Sequence, residues 1–221
     1  MNLSIIIPTF NEAAGIQQAI DRAFALSPCE VIVVDGGSQD DTVSFAKASS
    51  AQVYSSAAGR ALQQNLGASR ATGEFLLFLH ADTWLAESVH PQLEEVLNSP
   101  DFQLGAFWQK IEAEGFVYRL LERGNAYRVA RWGLVYGDQG MLVRRAFFEK
   151  FGGFPEEPFL EDLIFSQNAR RVQWPLLLPG PLHVSARRWQ KQGVFKQTLR
   201  NWTILTAHQC GISPKRLAEY Y

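Results

Sequence analysis

Short apolar runs alternate with segments of helical spacing through the first hundred residues, which is the pattern of βαβ units and a parallel sheet. Leu3 to Pro8, Val31 to Val34 and Phe75 to Leu79 are almost continuously apolar, as strands covered on both faces must be. Gln52 to Tyr54 reads as a weaker strand between the last two. Ala13 to Leu26 sets Ile16, Ala19, Ile20, Ala23 and Phe24 at helical spacing, one apolar face turned to a core. Ser38 and Asp41 predict a capping box ahead of a helix over Thr42 to Ala48, and further helices are expected at Arg60 to Ala71 and Glu87 to Leu97.

The second half is less regular. Gly105 to Ala113 reads as a strand, Phe116 to Val129 as a helix, and Gly140 to Val143 as a strand running into a helix at Arg145 to Phe151. A turn-rich stretch, Gly152 to Pro158, then delivers Glu161-Asp162 at the start of a helix reaching about Arg171. No linker or repeat separates the halves. The expectation is therefore one α/β domain over residues 1–221 with a mixed central sheet and helices on both faces. Within it, 1–100 reads as a nucleotide-binding half, followed by 101–185 as a second half and 186–221 as a C-terminal helical segment.

Charge and composition exclude some partners. A net charge of −1 over 221 residues supplies no global field to recruit nucleic acid or an anionic membrane, so any basic surface must be local. The start, Met1 to Pro8, lacks the basic region and apolar length of a signal peptide. No run approaches the roughly 20 apolar residues that cross a bilayer, so a cytoplasmic location is expected. Cys29 and Cys210 lack metal-ligand spacing and read as free thiols.

Polar groups gather where the predicted strands end: Pro8-Thr9-Phe10-Asn11-Glu12, Asp35-Gly36-Gly37-Ser38 and His80-Ala81-Asp82-Thr83. Open α/β sheets bind ligands outside the carboxyl ends of their strands. Asp35 is suited to accept hydrogen bonds from a base or ribose, with two glycines admitting close approach; the alternative is a tight turn before a helix. Asp82 is suited to a metal held at a strand tip, or else caps the next element. The absence of G-x-G-x-x-G and of a Walker lysine disfavours a Rossmann dehydrogenase or a P-loop NTPase.

Taken in order, these motifs resemble the family 2 glycosyltransferases with the GT-A fold. The resemblance is carried by Ile5 to Glu12, Val33 to Thr42, Gly59-Arg60 through Asn65-Leu66-Gly67-Ala68, and His80 to Thr83. It continues through Gly140 to Arg145, Phe151 to Phe154 and Glu161-Asp162-Leu163. It is similar in particular to the compact bacterial branch of radical-SAM/selenodomain-associated transferases. What it implies is a nucleotide pocket lined by Pro8, Thr9, Glu12, Asp35 and Gly37, with Arg60 near the sugar nucleotide. It further implies a divalent cation, Mg²⁺ or Mn²⁺, on Asp82, and Asp162 as the base of an inverting displacement, with its neighbour Glu161 facing acceptor or solvent. The substrates implied are a UDP- or GDP-sugar and an acceptor hydroxyl.

The chemistry fits that division. A departing diphosphate needs a hard cation held by carboxylate and phosphate oxygens, and the attacking hydroxyl needs a general base. One base opposite the leaving group gives inversion without the second carboxylate of a glycosidase. Acidic residues at a helix N-terminus also need no function. The rival classes are a non-catalytic nucleotide-sugar-binding protein and a nucleotidyltransferase.

The chain departs from the family's Asp-x-Asp metal motif at His80, which stands in place of the first aspartate and reads as a hydrogen-bond partner in the nucleotide site or as a packed histidine. His183 is a candidate second metal ligand. In the C-terminal region Arg187, Arg188, Lys191, Lys196 and Arg200 interleave with Trp189, Phe195 and Trp202. Three readings compete there: Arg187 or Arg188 clamping the diphosphate with Trp189 near the acceptor, contact with a membrane surface, or a helix packed on the core. Asp138 and Gln139 are candidate sugar contacts in a glycine-bracketed turn. Trp108 and Trp132 suit sugar stacking, although core packing is the stronger expectation for each.

Overall fold

The computed structural model describes residues 1–193, 200, 203–208 and 210–218, without the side chains of Arg188, Lys191 and Gln192. An eight-stranded mixed sheet runs through it in the order β3-β2-β1-β4-β7-β6-β8-β5. Its strands are β1 (Leu3–Thr9), β2 (Glu30–Asp35), β3 (Gln52–Ser55), β4 (Phe75–Phe78), β5 (Thr83–Leu85), β6 (Leu104–Glu112), β7 (Met141–Arg144) and β8 (Leu176–Ser185). The helices include α1 (Ile16–Ala25), α2 (Thr42–Lys47), α3 (Arg60–Arg70), α4 (His90–Leu97), α5 (Phe116–Trp132), α6 (Arg145–Lys150), α7 (Glu161–Ala169) and α8 (Arg187–Gln192), with a further short helix at Pro214–Ala218.

Strands β3, β2, β1 and β4 are parallel, and every residue of β1, β2 and β4 is buried. The alternation of strand side chains divides their apolar residues between two cores, one on each face. Ile5, Ile7, Val31, Val33 and Leu77 pack with Ile16 and Ile20 of α1. Ile6, Ile32, Val34 and Phe78 face the other way, toward Phe148, Phe154 and Phe165. The rings of Phe78, Phe148 and Phe154 lie 5.0–5.2 Å apart, in the tilted and edge-on arrangements that aromatic quadrupoles prefer.

Beyond β4 the pairing is mixed: β7 runs antiparallel to β4 and β6, β8 parallel to β6, and β5 antiparallel to β8. Phe78 pairs with Met141 of β7, so the carboxyl end of β4 lies beside the segment that leads into β7. The chain of relations that positions α7 starts at α3. A Cβ at Gly67 would stand 2.5 Å from Ile6 Cγ2, so only glycine lets α3 lie this close to β1. Asn65, on the same helix, donates from Nδ2 to the Phe154 carbonyl at 2.8 Å and accepts from the Phe154 N–H at 2.9 Å. The turn that precedes α7 is thereby fastened to α3.

Several sequence expectations need correction. Ser38 does not form a capping box with Asp41: its hydroxyl donates to Asp35 Oδ1 and accepts from the Asn11 N–H, while Asp40 Oδ1 takes the Thr42 N–H and hydroxyl. Strand β8 crosses Pro179-Gly180-Pro181, a composition that reads as a loop. The sheet accommodates it by a register shift between Phe107 and Gln109 on β6. Trp132 is not core: it is 52% exposed. Cys29 and Cys210 are free thiols. Among the described residues no helix is long and apolar enough to cross a membrane.

Candidate active site

The loop after β4 is stitched tightly. The Thr83 hydroxyl accepts from the His80 N–H and donates to the His80 carbonyl, each at 3.1 Å, and the Asp82 carbonyl accepts from the Ser185 N–H of β8 at 3.1 Å. Across from this loop, residues Gly137–Gln139 form a single 3-10 turn before β7. Leu160 takes a left-handed conformation, φ 65°, immediately before α7. That bend places Asp162 in the first turn of the helix, over the same strand tips.

Both oxygens of Asp162 are held by backbone. Oδ2 accepts from the Gly137 N–H at 2.5 Å and Oδ1 from the Leu163 N–H at 2.7 Å. A carboxylate oxygen has two lone pairs, so each retains one for another donor. Gly137 lies between two candidate groups: a Cβ there would stand 3.2 Å from both Asp162 Oδ2 and His80 Nε2.

A cavity of about 170 Å³ opens at this point. Arg60, His80, Asp82, Asp138 and Asp162 supply its polar wall, and Tyr136, Phe159, Leu160, Trp189, Ile204 and Leu205 its less polar one. The structure therefore brings together six candidates from five separate stretches of sequence: Arg60, His80, Asp82, Asp138, Asp162 and Trp189. Residues 203–208 are helical, and Ile204 packs on Phe159. Phe195, Lys196 and Trp202 of the C-terminal group lie outside the described residues, as do the side chains of Arg188 and Lys191.

Glu161 does not face acceptor or solvent. It is 1% exposed, and its Oε1 pairs with Arg60 Nε at 2.7 Å. Burial pushes its carboxyl above the usual glutamate range, the Asp162 charge adds to that, and Arg60 opposes both. A partly buried polar network supports the Gly137–Gln139 turn. Arg128 of α5 stacks over the Tyr136 ring at 3.6 Å and donates to Asn125 Oδ1 and Gln139 Oε1 at 2.8 and 2.7 Å. Burial pulls the Arg128 guanidinium below its ordinary value, against the pull of Tyr136, Asp138 and Asp162. Burial likewise raises the Tyr136 phenol to about 12, which keeps it protonated at working pH. Gln109 donates to the Asp138 carbonyl at 2.7 Å.

Two predicted contacts are thus reassigned. Gln139 is fully buried, and its Oε1 accepts from Arg128 and from the Tyr136 N–H. It braces the turn and is not presented to a sugar. His183 does not join Asp82: its ring stacks on Trp84 at 5.2 Å and its Nδ1 pairs with Glu112 at 2.6 Å. Among the described residues no cluster of three or more His, Cys, Asp or Glu is arranged to hold a metal.

The residues expected to line a nucleotide pocket sit at the neighbouring strand tips. Pro8 and Thr9 are buried at the end of β1. Asp35 is buried at the end of β2 and accepts from the Gly37 N–H, the Ser38 N–H and the Ser38 hydroxyl. Glu12 pairs with Arg187 Nη2 at 3.3 Å. Both line a second depression of about 330 Å³ that shares Asp82, Thr83 and Ser185 with the first. Sequence reading missed the Gly137 N–H and Arg128. A backbone donor has no residue-type signal, and Arg128 looks like one more helical arginine.

Residues 4–152 match the family described as "Glycosyl transferase family 2". The chain belongs to that family. It is 26% identical over 155 residues to undecaprenyl-phosphate 4-deoxy-4-formamido-L-arabinose transferase of Sodalis glossinidius, covering 64% of this chain and 48% of that protein. The chain spans about a third to a half of the length of the curated relatives it matches. Two solved structures share its fold. S. aureus TarS 1-349 superposes with a TM-score of 0.66 at 18% identity, over 84% of this chain and 61% of that one. Glucosyl-3-phosphoglycerate synthase from Mycobacterium tuberculosis, in complex with Mn²⁺, UDP-glucose and phosphoglyceric acid, gives 0.66 at 20% identity, over 96% and 80%. The fold of this family 2 chain is that of the GT-A glycosyltransferases, a single mixed α/β domain.

Proposed function

We propose that this chain transfers a sugar from a nucleoside-diphosphate sugar to an acceptor hydroxyl, with inversion and with help from a divalent cation. The observation that carries the reading is that Asp82 and Asp162 line one cavity from different elements, while two backbone N–H groups fix the Asp162 carboxylate. Asp162 takes the proton from the attacking hydroxyl, with the free lone pairs of its oxygens directed by the Gly137 and Leu163 amides. Arg60, steadied by Glu161, supplies positive charge to the same cavity. Trp189 offers an aromatic wall on which a sugar ring packs.

The donor set fits a hard cation. Asp82 supplies a carboxylate oxygen, and Mg²⁺ or Mn²⁺ characteristically takes only one or two protein carboxylates and completes its shell with substrate phosphates and water. Asp82 is the residue that would hold it. Bound there, it would neutralise the charge that develops on the departing diphosphate.

The donor pocket of this reading is formed by Pro8, Thr9, Glu12, Asp35 and Gly37 in residues 1–100, with His80 in the place of the motif's first aspartate. Residues 101–185 form the acceptor side, and Trp189, Ile204 and Leu205 from the C-terminal region line the cavity. Membership of the compact radical-SAM/selenodomain-associated branch, a cytoplasmic location and contact with a membrane surface belong to the same proposal. A relative named for a polyprenyl phosphate supports an acceptor presented at a bilayer.

A screen of UDP- and GDP-sugars, with and without Mn²⁺, that follows nucleotide release tests it. Cation-dependent release that Asp82→Asn reduces about 10²-fold or more supports the reading. Donor binding without release identifies a binding protein, and pyrophosphate release from a nucleoside triphosphate identifies a nucleotidyltransferase.

A further inference from the structure

Helix α5 carries on its outside what helices usually bury. Four of the ten large apolar side chains exposed among the described residues are on it: Phe116, Leu120, Tyr127 and Trp132, with Phe116 74% exposed. Three more stand at 172–176, a segment that Trp174 fastens to α5 by donating from Nε1 to the Ala130 carbonyl at 3.2 Å. Tyr127 and Trp132 meet edge-on at 5.9 Å. A contiguous exposed apolar region of this kind marks an interaction surface.

The exposed charges on the helix itself are all positive, with the exposed acids Glu112 and Glu114 standing just ahead of it. Positions 116, 120, 123, 127 and 131 follow a helical spacing, so exposed Arg123 and Arg131 share the stripe with Phe116, Leu120 and Tyr127. Between residues 115 and 133 the sole acid is Glu122. It is buried on the opposite face, where it accepts from the Ile111 N–H at 2.6 Å and pairs with Arg119 at 2.9 Å. Arg170 and Arg171 extend the positive side, and 170–176 contains no acid. This concentration of arginine stands out in a chain whose net charge is −1.

We propose that the outer face of α5, with the adjoining 172–176 segment, docks on an anionic lipid bilayer with the helix lying in the surface plane. Arginine together with Trp, Tyr, Phe and Leu is the composition of an interfacial helix: the aromatic and aliphatic groups enter the headgroup boundary, and the guanidinium groups meet lipid phosphates. A second copy of this chain is a poor occupant, because an isologous contact sets Arg123 and Arg131 against their own counterparts. Nucleic acid would account for the arginines but not for exposed Phe116 and Leu120. Tyr118 of α5 meets Trp189 edge-on at 6.5 Å, and Trp189 lines the cavity wall. The inference does not rest on the transferase reading, because docking is measured without donor or acceptor.

Co-sedimentation with vesicles of phosphatidylcholine containing about one third phosphatidylglycerol tests it, beside vesicles of phosphatidylcholine alone. The wild-type chain is expected to bind the anionic vesicles, with binding lost at high salt. The double variant Arg123→Glu/Arg131→Glu and the single variant Phe116→Ser are each expected to weaken binding about tenfold or more, with circular dichroism unchanged. Failure of the wild type to bind, or equal binding by the folded variants, overturns the proposal. So does a stable dimer by light scattering that Phe116→Ser dissociates, or binding to a DNA duplex as tight as to the vesicles.

Discussion

The Gly137 amide, on the turn before β7, donates a 2.5 Å hydrogen bond to Asp162 Oδ2, at the start of α7. Two elements separated by the whole of β7 and α6 are joined at the atom proposed to receive a proton. Gly137 is small for a reason that lies in the same place: an added Cβ would stand 3.2 Å from Asp162 Oδ2 and from His80 Nε2, closer than carbon settles against such atoms. Gly137→Ala is expected to lower kcat by about tenfold to a hundredfold while changing stability by under about 1 kcal/mol, because small displacements of a reacting group are costly. Steady-state kinetics beside thermal unfolding checks both.

Arg128 makes a separate prediction. Its guanidinium stacks on Tyr136 and bonds Asn125 and Gln139, and Gln139 is fully buried, so water does not readily replace the bond it would lose. Arg128→Met leaves Gln139 Oε1 without its strongest donor, and is expected to cost about 3 kcal/mol in denaturant unfolding. Because Tyr136, Asp138 and Asp162 share that region, activity of the folded fraction is expected to fall too.

Glu161 gives stability a pH dependence with a defined sign. Its folded-state pKa is raised, by burial first and by Asp162 second. Below the ordinary glutamate pKa both states hold the proton and the effect is absent. As pH rises through the ordinary value, the unfolded chain releases its proton first, so stability falls until the folded-state value is passed, and is then level. Glu161→Gln keeps an oxygen for Arg60 Nε and removes the ionisation. Between about pH 4 and about pH 7 its melting temperature is expected to fall less than that of wild type. Parallel melting curves measure the difference.

How much of this the sequence discloses follows from burial and from chemistry type. β1, β2 and β4 are legible because strands covered on both faces must be apolar throughout. β8 is not, because Pro179-Gly180-Pro181 interrupts the pattern and a bulge opposite absorbs the interruption. The order of motifs draws attention to Asp82 and Asp162, and the fold sets both on one cavity. Gln139 and His183 are polar residues near the right strands, yet the hydrogen-bonding capacity of one and the ring of the other are taken up within the fold. Side-chain direction of that kind has no signature in spacing. The face of α5 is similar: its exposed stripe and the buried row of Ala126 and Val129 are both apolar, so periodicity does not say which one meets the core.

The central claim is that Asp162 is the base of the transfer, and Asp162→Asn tests it most directly. The amide keeps an oxygen for the Gly137 N–H and loses the capacity to take a proton. With a donor and acceptor found in the screen, kcat for acceptor-dependent nucleotide release is expected to drop about 10²- to 10⁴-fold, with donor affinity measured by calorimetry nearly unchanged. Full acceptor-dependent turnover by Asp162→Asn would contradict the claim.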